Sequence, residues 1–182
     1  MTAIQQRDPG TDVVTAEVFR QVFRRHAAGV AVVATGGPAP VGFTATSVVS
    51  LSASPPMLSF NVSHTSSSWP AVQRAEHLAL HLLAEDQTGL ATTFATQGID
   101  RFAVVPGWRR GDFDLPVLPG VMAWLAARVR AAVPAGDHAV IVAEVVRAEH
   151  WDARPLLSHG GTWATLAAPD AVVAGITSSF PS

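Results

Sequence analysis

The sequence predicts a mainly β fold, an antiparallel barrel of about six or seven strands carrying two or three short helices. Three observations lead there. Apolar, β-branched runs such as residues 29–35 and 57–62 recur along the chain, the composition that packs on a pleated, half-buried surface. These runs follow one another at hairpin distances across Gly- and Pro-rich turns. Helical periodicity is confined to isolated stretches, without the regular alternation of strand and helix that builds a doubly wound parallel sheet.

Residues 1–13 are polar, contain Asp8-Pro9-Gly10 and read as a loose arm. Val18, Phe19, Val22, Phe23 and Ala27 recur at spacings of three and four, which predicts an amphipathic helix capped by Thr15 and ending near Gly29. Residues 29–35, GVAVVAT, form the first strand, and GGPAP turns the chain into a second over 41–52. Ser54-Pro55-Pro56 breaks the chain before a third strand at 57–62. A short helix then opens at Trp69-Pro70, with Ser68 or Ser67 as N-cap and Pro70 at the first helical position, where a missing N–H is harmless. HLALHLLAE at 77–85 returns as a strand, and a short helix over 86–96 has Leu90 and Phe94 at helical spacing. Residues 98–120, rich in Gly and Pro and holding Arg101, Trp108, Arg109 and Arg110, read as a long surface excursion. Strands at 122–133 and 138–151 are joined by the tight turn Pro134-Ala135-Gly136-Asp137, and a last strand covers 155–166. The expected organisation is one domain over 14–168, with a small-residue tail at 169–182.

The chain has 182 residues, enough for one sizeable core. Hydrophobic residues make up 48% and charged residues only 14%, leaving apolar surface that a second copy of the chain would cover, so a homo-oligomer is expected. The net charge of −2 and the absence of a basic patch argue against nucleic acid as a partner. With no Cys, disulfides, thiolate metal sites and cysteine nucleophiles are excluded. No apolar stretch reaches the roughly 18 residues of a membrane span, and the N-terminus lacks a signal-peptide pattern, so a cytoplasmic protein is expected.

Residues 40–70 are the densest in candidate chemistry. Thr44, Thr46, Ser47, Ser50 and Ser52, then Ser63, Thr65, Ser66, Ser67 and Ser68, surround two apolar runs. Hydroxyls beside unpaired N–H groups at turns and helix starts bind anionic ligands without a charged side chain. The alternative for each is an ordinary turn former. There is no G-x-G-x-x-G after a strand, P-loop, G-x-S-x-G or S-x-x-K, so dinucleotide-fold binding, phosphoryl transfer and common serine acyl transfer lack their motifs. His77 and His81 share a face but read as a surface pair, since a metal needs a third ligand, and no metal site is expected. Asp137-His138 is a better candidate, because a carboxylate beside an imidazole orients it.

In order, PVGFTATS (40–47), SLSASPPMLSF (50–60), SSSWPAV (66–72), HLLAEDQ (81–87), DRF (100–102), LPVL (115–118), AWL (123–125) and AGDHAVIVAEV (135–145) resemble the short-chain flavin reductase family. These are FMN-binding split barrels that serve as reductase components of two-component flavin-dependent monooxygenases. The resemblance implies a split β-barrel of Greek-key type and a homodimer that binds flavin between subunits. It further implies NAD(P)H-dependent reduction of FMN or FAD, with NADH or NADPH as donor and a transient monooxygenase partner.

By the same resemblance, Thr44, Ala45, Thr46, Ser47 and Ser50 would meet the isoalloxazine edge, and a second flavin segment includes Asn61, Val62, Ser63, Ser66, Ser67 and Ser68, of which Ser66, Ser67 and Ser68 would meet the ribityl and phosphate oxygens. His138 would stand on the nicotinamide side as the catalytic residue, beside Asp137. Arg101 would meet a flavin or nicotinamide phosphate, Phe94 joins the cofactor-binding set, and Trp163 would cover the flavin or fill the barrel end. The chain departs from the family pattern at His81, Thr92, Thr93 and Gly160, where Asn, two basic residues and Arg are frequent. Hydride transfer asks a protein to stack two rings, so no side-chain nucleophile is required. The rival expectations are a flavin- or haem-binding carrier without turnover, and a flavoenzyme acting on another small molecule.

Overall fold

Seven strands form one antiparallel sheet in the computed structural model, which describes residues 14–167. The predicted arm at 1–13 and tail at 169–182 lie outside them. The order across the sheet is β3 (Gly42–Ala45), β2 (Ala31–Thr35), β6 (His77–Leu82), β9 (Ala123–Ala135), β10 (His138–His150), β5 (Pro56–Ser63) and β4 (Val49–Ala53). A smaller sheet joins β1 (Ala28–Gly29), β11 (Leu156–His159) and β12 (Thr162–Thr165), and β7 (Arg109–Arg110) pairs with β8 (Pro116–Val117).

The sheet has to curl. β3 and β4 lie at its opposite edges, yet only Thr46, Ser47 and Val48 separate them in the chain. A flat seven-stranded sheet is about 29 Å across at the usual strand spacing. Four peptide steps from Ala45 to Val49 reach at most about 14 Å. The two edges therefore come together, and the Asn61 N–H of β5 donates to Ser47 Oγ at 2.9 Å across the closure. The expected single strand over 41–52 is thus two strands, because the chain must leave one edge and join the other.

All five residues of β2 are buried, so both faces of this part of the sheet are covered. Val33, Leu58, Phe60, Val62, Leu78, Leu80, Ala139 and Ile141 fill the barrel interior. Val32, Ala34 and Ala79 belong to a second core shared with Phe94, Phe102, Leu115, Leu118 and Trp124. That outer layer is built by α3 (Thr88–Ala95), α4 (Arg101–Val104) and the chain that follows them. The stretch 98–120 is consequently no simple surface excursion, since it buries Phe102, Leu115, Val117 and Leu118. Its Gly and Pro content marks tight turns rather than exposure.

Other boundaries also shift. The first helix, α1 (Ala16–Phe23), is capped by Thr15 as expected but ends well before Gly29, where Ala28–Gly29 pairs with β11. The expected last strand is a hairpin, because Gly160 (φ 65) and Gly161 (φ 84) turn β11 into β12. Two adjacent positive φ values suit Gly and no bulky residue. In α2 (Trp69–Val72) Pro70 is the second residue, one later than expected. The helix over 86–96 narrows to α3, and α4 brings the α-helices among the described residues to four.

His81 is not a surface residue. It is fully buried, with Nδ1 3.1 Å from Val32 O and Nε2 3.0 Å from Pro116 O. Burial lowers its pKa from 6.5 to about 4, although both carbonyl contacts raise it. Between those two values the unfolded chain holds a proton that the folded chain does not, so stability falls as pH falls through this window. The loss is about 2–3 kcal/mol between pH 7.5 and 4.5. Urea unfolding should show that slope, and His81→Gln, which keeps one amide donor, should flatten it; equal slopes would remove His81 as the cause.

Gly42 sits where β3 meets α3. A Cβ there would lie 2.7 Å from Phe94 Cε1 and 3.2 Å from Val33 O. Gly42→Ala is expected to destabilise the protein by about 1–3 kcal/mol, the usual range for overpacking, and a thermal melt within a degree of the parent would contradict the contact.

Candidate active site

The Gly136-Asp137 turn between β9 and β10 brings the predicted G-D-H to the end of β5. Gly136 supplies the positive φ of 64 that the tight turn needs, and His138 pairs across to Ser63. The His64 N–H donates to Asp137 O at 3.0 Å, fixing the turn to the second predicted ligand segment. Asp137 Oδ1 lies 2.7 Å from His138 Nδ1, and that hydrogen bond holds the Asp137 carboxyl below its ordinary pKa, with the His138 charge adding to it. An ionised carboxylate only accepts, so the proton between them belongs to His138 Nδ1. Nε2 is left without a partner among the described residues.

The hydroxyls of the second segment divide into two kinds. Ser63 Oγ and Thr65 Oγ1 share a hydrogen bond of 2.9 Å, and Ser63 Oγ accepts from the Thr65 N–H. Ser66 Oγ accepts from the Ser68 N–H. These are local turn bonds of the kind small hydroxyl residues form anywhere. Ser68 occupies the N-cap position of α2, but its side chain makes no cap and is fully buried, its Oγ donating to Gly42 O at 3.4 Å. Ser67 is exposed and its hydroxyl has no partner among the described residues. Asn61 is exposed, whereas Val62 points into the barrel.

In the first segment, Thr44 Oγ1 donates to Ala91 O at 2.6 Å and so ties β3 to α3. Ala45 is buried, Thr46 is exposed and Ser47 closes the barrel. Ser50 lies apart from these, on an apolar cleft of about 400 Å³ with Val30, Leu58, Leu83 and Leu125.

Arg101 and Ser67 do come together. Both line a cleft of about 560 Å³ with Gly42, Asp100 and Trp108. Arg101 is 9% exposed; Nε donates to Thr96 O and Nη1 to Gly42 O, each at 2.9 Å. No carboxylate forms an ion pair with it among the described residues, and burial lowers its pKa. Asp100 caps α4 instead, accepting from the Phe102 and Ala103 N–H groups. A guanidinium so placed, with free N–H donors and an unpaired hydroxyl beside it, fits an anionic ligand group.

Phe94 is wholly buried and serves the outer core. Trp163 packs against that same core, and its Nε1–H donates to Thr92 Oγ1 at 3.0 Å. Neither side chain stands at the hairpin tip. Thr92 and Thr93 donate their hydroxyl protons to the carbonyls of Thr88 and Gly89 within α3. Two residues at the site were missed by sequence reasoning: His64, which anchors Asp137, and Trp69, whose ring lies 5.2 Å from that of His64. Their only signal was proximity to the Ser/Thr cluster.

Comparison with known proteins gives a consistent picture. Residues 23–167 match the model of the flavin reductase like domain. An NADH:FMN oxidoreductase of Rhodococcus qingshengii is 44% identical over 156 residues, covering 82% of this chain and 81% of that protein. The reductase component of a 4-nitrophenol 4-monooxygenase/4-nitrocatechol 2-monooxygenase from Rhodococcus opacus is 37% identical, over 79% of this chain and 77% of its own. Among solved structures, the Streptomyces globisporus NADH:FAD oxidoreductase SgcE6, in complex with NAD and FAD fragments, superimposes with a TM-score of 0.81. It is 30% identical and covers 88% of this chain and 99% of that one. On the strength of the matched span and these relatives, the chain belongs to the flavin reductase like domain family.

Proposed function

We propose that this chain is an NAD(P)H:flavin oxidoreductase, with NADH as donor and FMN or FAD as acceptor, that supplies reduced flavin to a separate monooxygenase. The observation that carries this reading is the meeting of Asp137–His138 with Ser63–His64 at one end of the barrel. When bound, the nicotinamide and flavin rings supply the hydride chemistry themselves. The chain's task is to hold them and to meet the charge that develops. Asp137 fixes the His138 ring by its Nδ1 and leaves Nε2 free to meet a ligand. Arg101 and Ser67 offer donors to a phosphate at the 560 Å³ cleft. Thr46, Asn61 and neighbouring backbone groups offer exposed polar contacts to the flavin edge.

A homodimer is part of the proposal. Val49, on the edge strand β4, pairs with Ser59, which pairs in turn with Val142, so these outward side chains share one sheet face. Val49, Leu51 and Val133 are each about half exposed in a single copy. On α1, Val18, Phe19, Val22 and Phe23 are likewise uncovered. Exposed apolar surface of this kind marks a contact surface, and a second copy is the partner we assign to it. None of the described helices is long and apolar enough to cross a membrane, and the cytoplasm is where reduced nicotinamide is available.

The test is NADH oxidation by purified protein with added FMN or FAD, read by loss of NADH absorbance. Turnover that scales with flavin supports the reading; none, with flavin retained through gel filtration, favours a carrier. His138→Ala is expected to lower the turnover number at least about 100-fold, the lower end of the range for a positioned proton-handling group, while flavin affinity changes little. An unchanged rate would remove His138 from the reaction.

A further inference from the structure

Phe113 is exposed, aromatic and held in a conformation that such residues rarely adopt. Its φ of 57 and ψ of 26 lie in the left-handed region, and Asp114 beside it also has a φ of 57. Phenylalanine has neither the missing Cβ of Gly nor the short polar side chain that helps Asn and Asp there. Consecutive outliers persist only where surrounding contacts impose them, and they concentrate at ligand sites.

The contacts that impose this one are specific. Arg110 Nη1 donates to Gly37 O at 2.8 Å, Asp114 Oδ1 at 2.9 Å and Asp114 O at 3.3 Å. Its guanidinium lies 5.6 Å from the centre of the Trp108 ring. Asp114 O also approaches Gly36 so closely that a Cβ there would lie 2.8 Å away. The turn is therefore clamped to the β2–β3 loop.

What the clamp achieves is to lay Phe113 flat on His77. The ring centres are 4.2 Å apart and the planes 7° from parallel. His77 is itself fixed, since its Nε2 accepts from Arg128 Nε at 3.3 Å and its Nδ1 faces Glu76 at 3.9 Å. Yet Phe113 remains 45% exposed, so the stack does not serve to bury it. Phe113 and His77 line a cleft of about 380 Å³ with Arg74, which has no ion pair among the described residues. Ala39 lines both this cleft and the one holding Arg101 and Ser67, so the two adjoin.

Resting on the flavin reductase reading, we infer that the Phe113–His77 stack is a platform for the adenine ring of a dinucleotide substrate, with Arg74 beside the adjoining phosphate. A rigid, exposed aromatic face stacks any purine, and the arginine supplies charge along the route from the Arg101 cleft. NADH and FAD both carry adenosine, whereas reduced nicotinamide mononucleotide and FMN do not.

Those pairs make the test. Phe113→Asn removes the ring and keeps a residue at ease with positive φ; Phe113→Trp keeps a stacking face. A thermal melt establishes that each folds. For Phe113→Asn, the kcat/KM ratio of NADH to reduced nicotinamide mononucleotide is expected to fall about 10-fold, the loss of one base–aromatic stack, with Phe113→Trp near the parent. A fall in the FAD to FMN ratio instead would assign the same platform to the flavin's adenosine. Both ratios unchanged in a folded Phe113→Asn protein would overturn the inference. Binding of adenosine monophosphate, followed by ligand-observed NMR, decides the platform separately: it should weaken in Phe113→Asn even if the parent shows no NADH oxidation, an outcome that would sink only the reductase reading.

Discussion

Everything in this molecule depends on the short link between opposite edges of its main sheet. Thr46, Ser47 and Val48 are too few to cross a flat sheet, so the seven strands close into a barrel with β3 and β4 at the seam. The seam is where polar groups have to be exposed. β4 pairs with β5 only as far as Ser59, and beyond it the Asn61 N–H of β5 is met by the Ser47 hydroxyl rather than by a neighbouring strand. Closure and the proposed ligand binding thus draw on the same stretch of chain, where small hydroxyl side chains are dense between residues 44 and 68.

The fold was largely legible because strand periodicity is a local signal. The runs at 57–62, 77–85, 122–133 and 138–151 each correspond to a strand within a few residues. What could not be seen was where a continuous β-rich stretch changes partners. Nothing in VGFTATSVVSLS marks the passage from one edge of the sheet to the other, since both halves have strand composition. The Gly160-Gly161 hairpin did carry a recognisable turn signal, and only its position inside an apparently single strand concealed it.

The site was half legible. The Asp137–His138 pair and the Ser63–Ser68 run were visible as motifs, and the register of β10 against β5 brings them together. The division of labour among the hydroxyls was not visible. Ser68 and Thr44 turn inward to bind backbone carbonyls, Ser63 and Ser66 close local turns, and in that run Ser67 is left with a hydroxyl that has no partner among the described residues. A sequence records that a hydroxyl is present, whereas its availability depends on which carbonyl or N–H the fold places next to it. His81 shows the same limit: it alternates with Leu78, Leu80 and Leu82 as an outward-facing residue should, but the face it occupies is covered by a second layer.

That second layer is attached to the barrel in a particular way. Arg101 donates to Gly42 O of β3 and Trp124 of β9 donates to Pro116 O, which joins layer to barrel, while Arg101, Trp108 and Gln87 also donate to Thr96 O, Phe102 O and Pro119 O within the layer. Backbone carbonyls do not titrate, and guanidinium, indole and amide groups keep their state throughout the range in which the enzyme could work. An attachment made from such pairs keeps its hydrogen bonds unchanged as pH varies across that range. Among these contacts His81 alone has a donor that titrates near neutrality, and burial moves that event down to about pH 4. The cost of keeping a neutral imidazole under the layer is accordingly borne in acid, away from the conditions under which reduced nicotinamide would be bound.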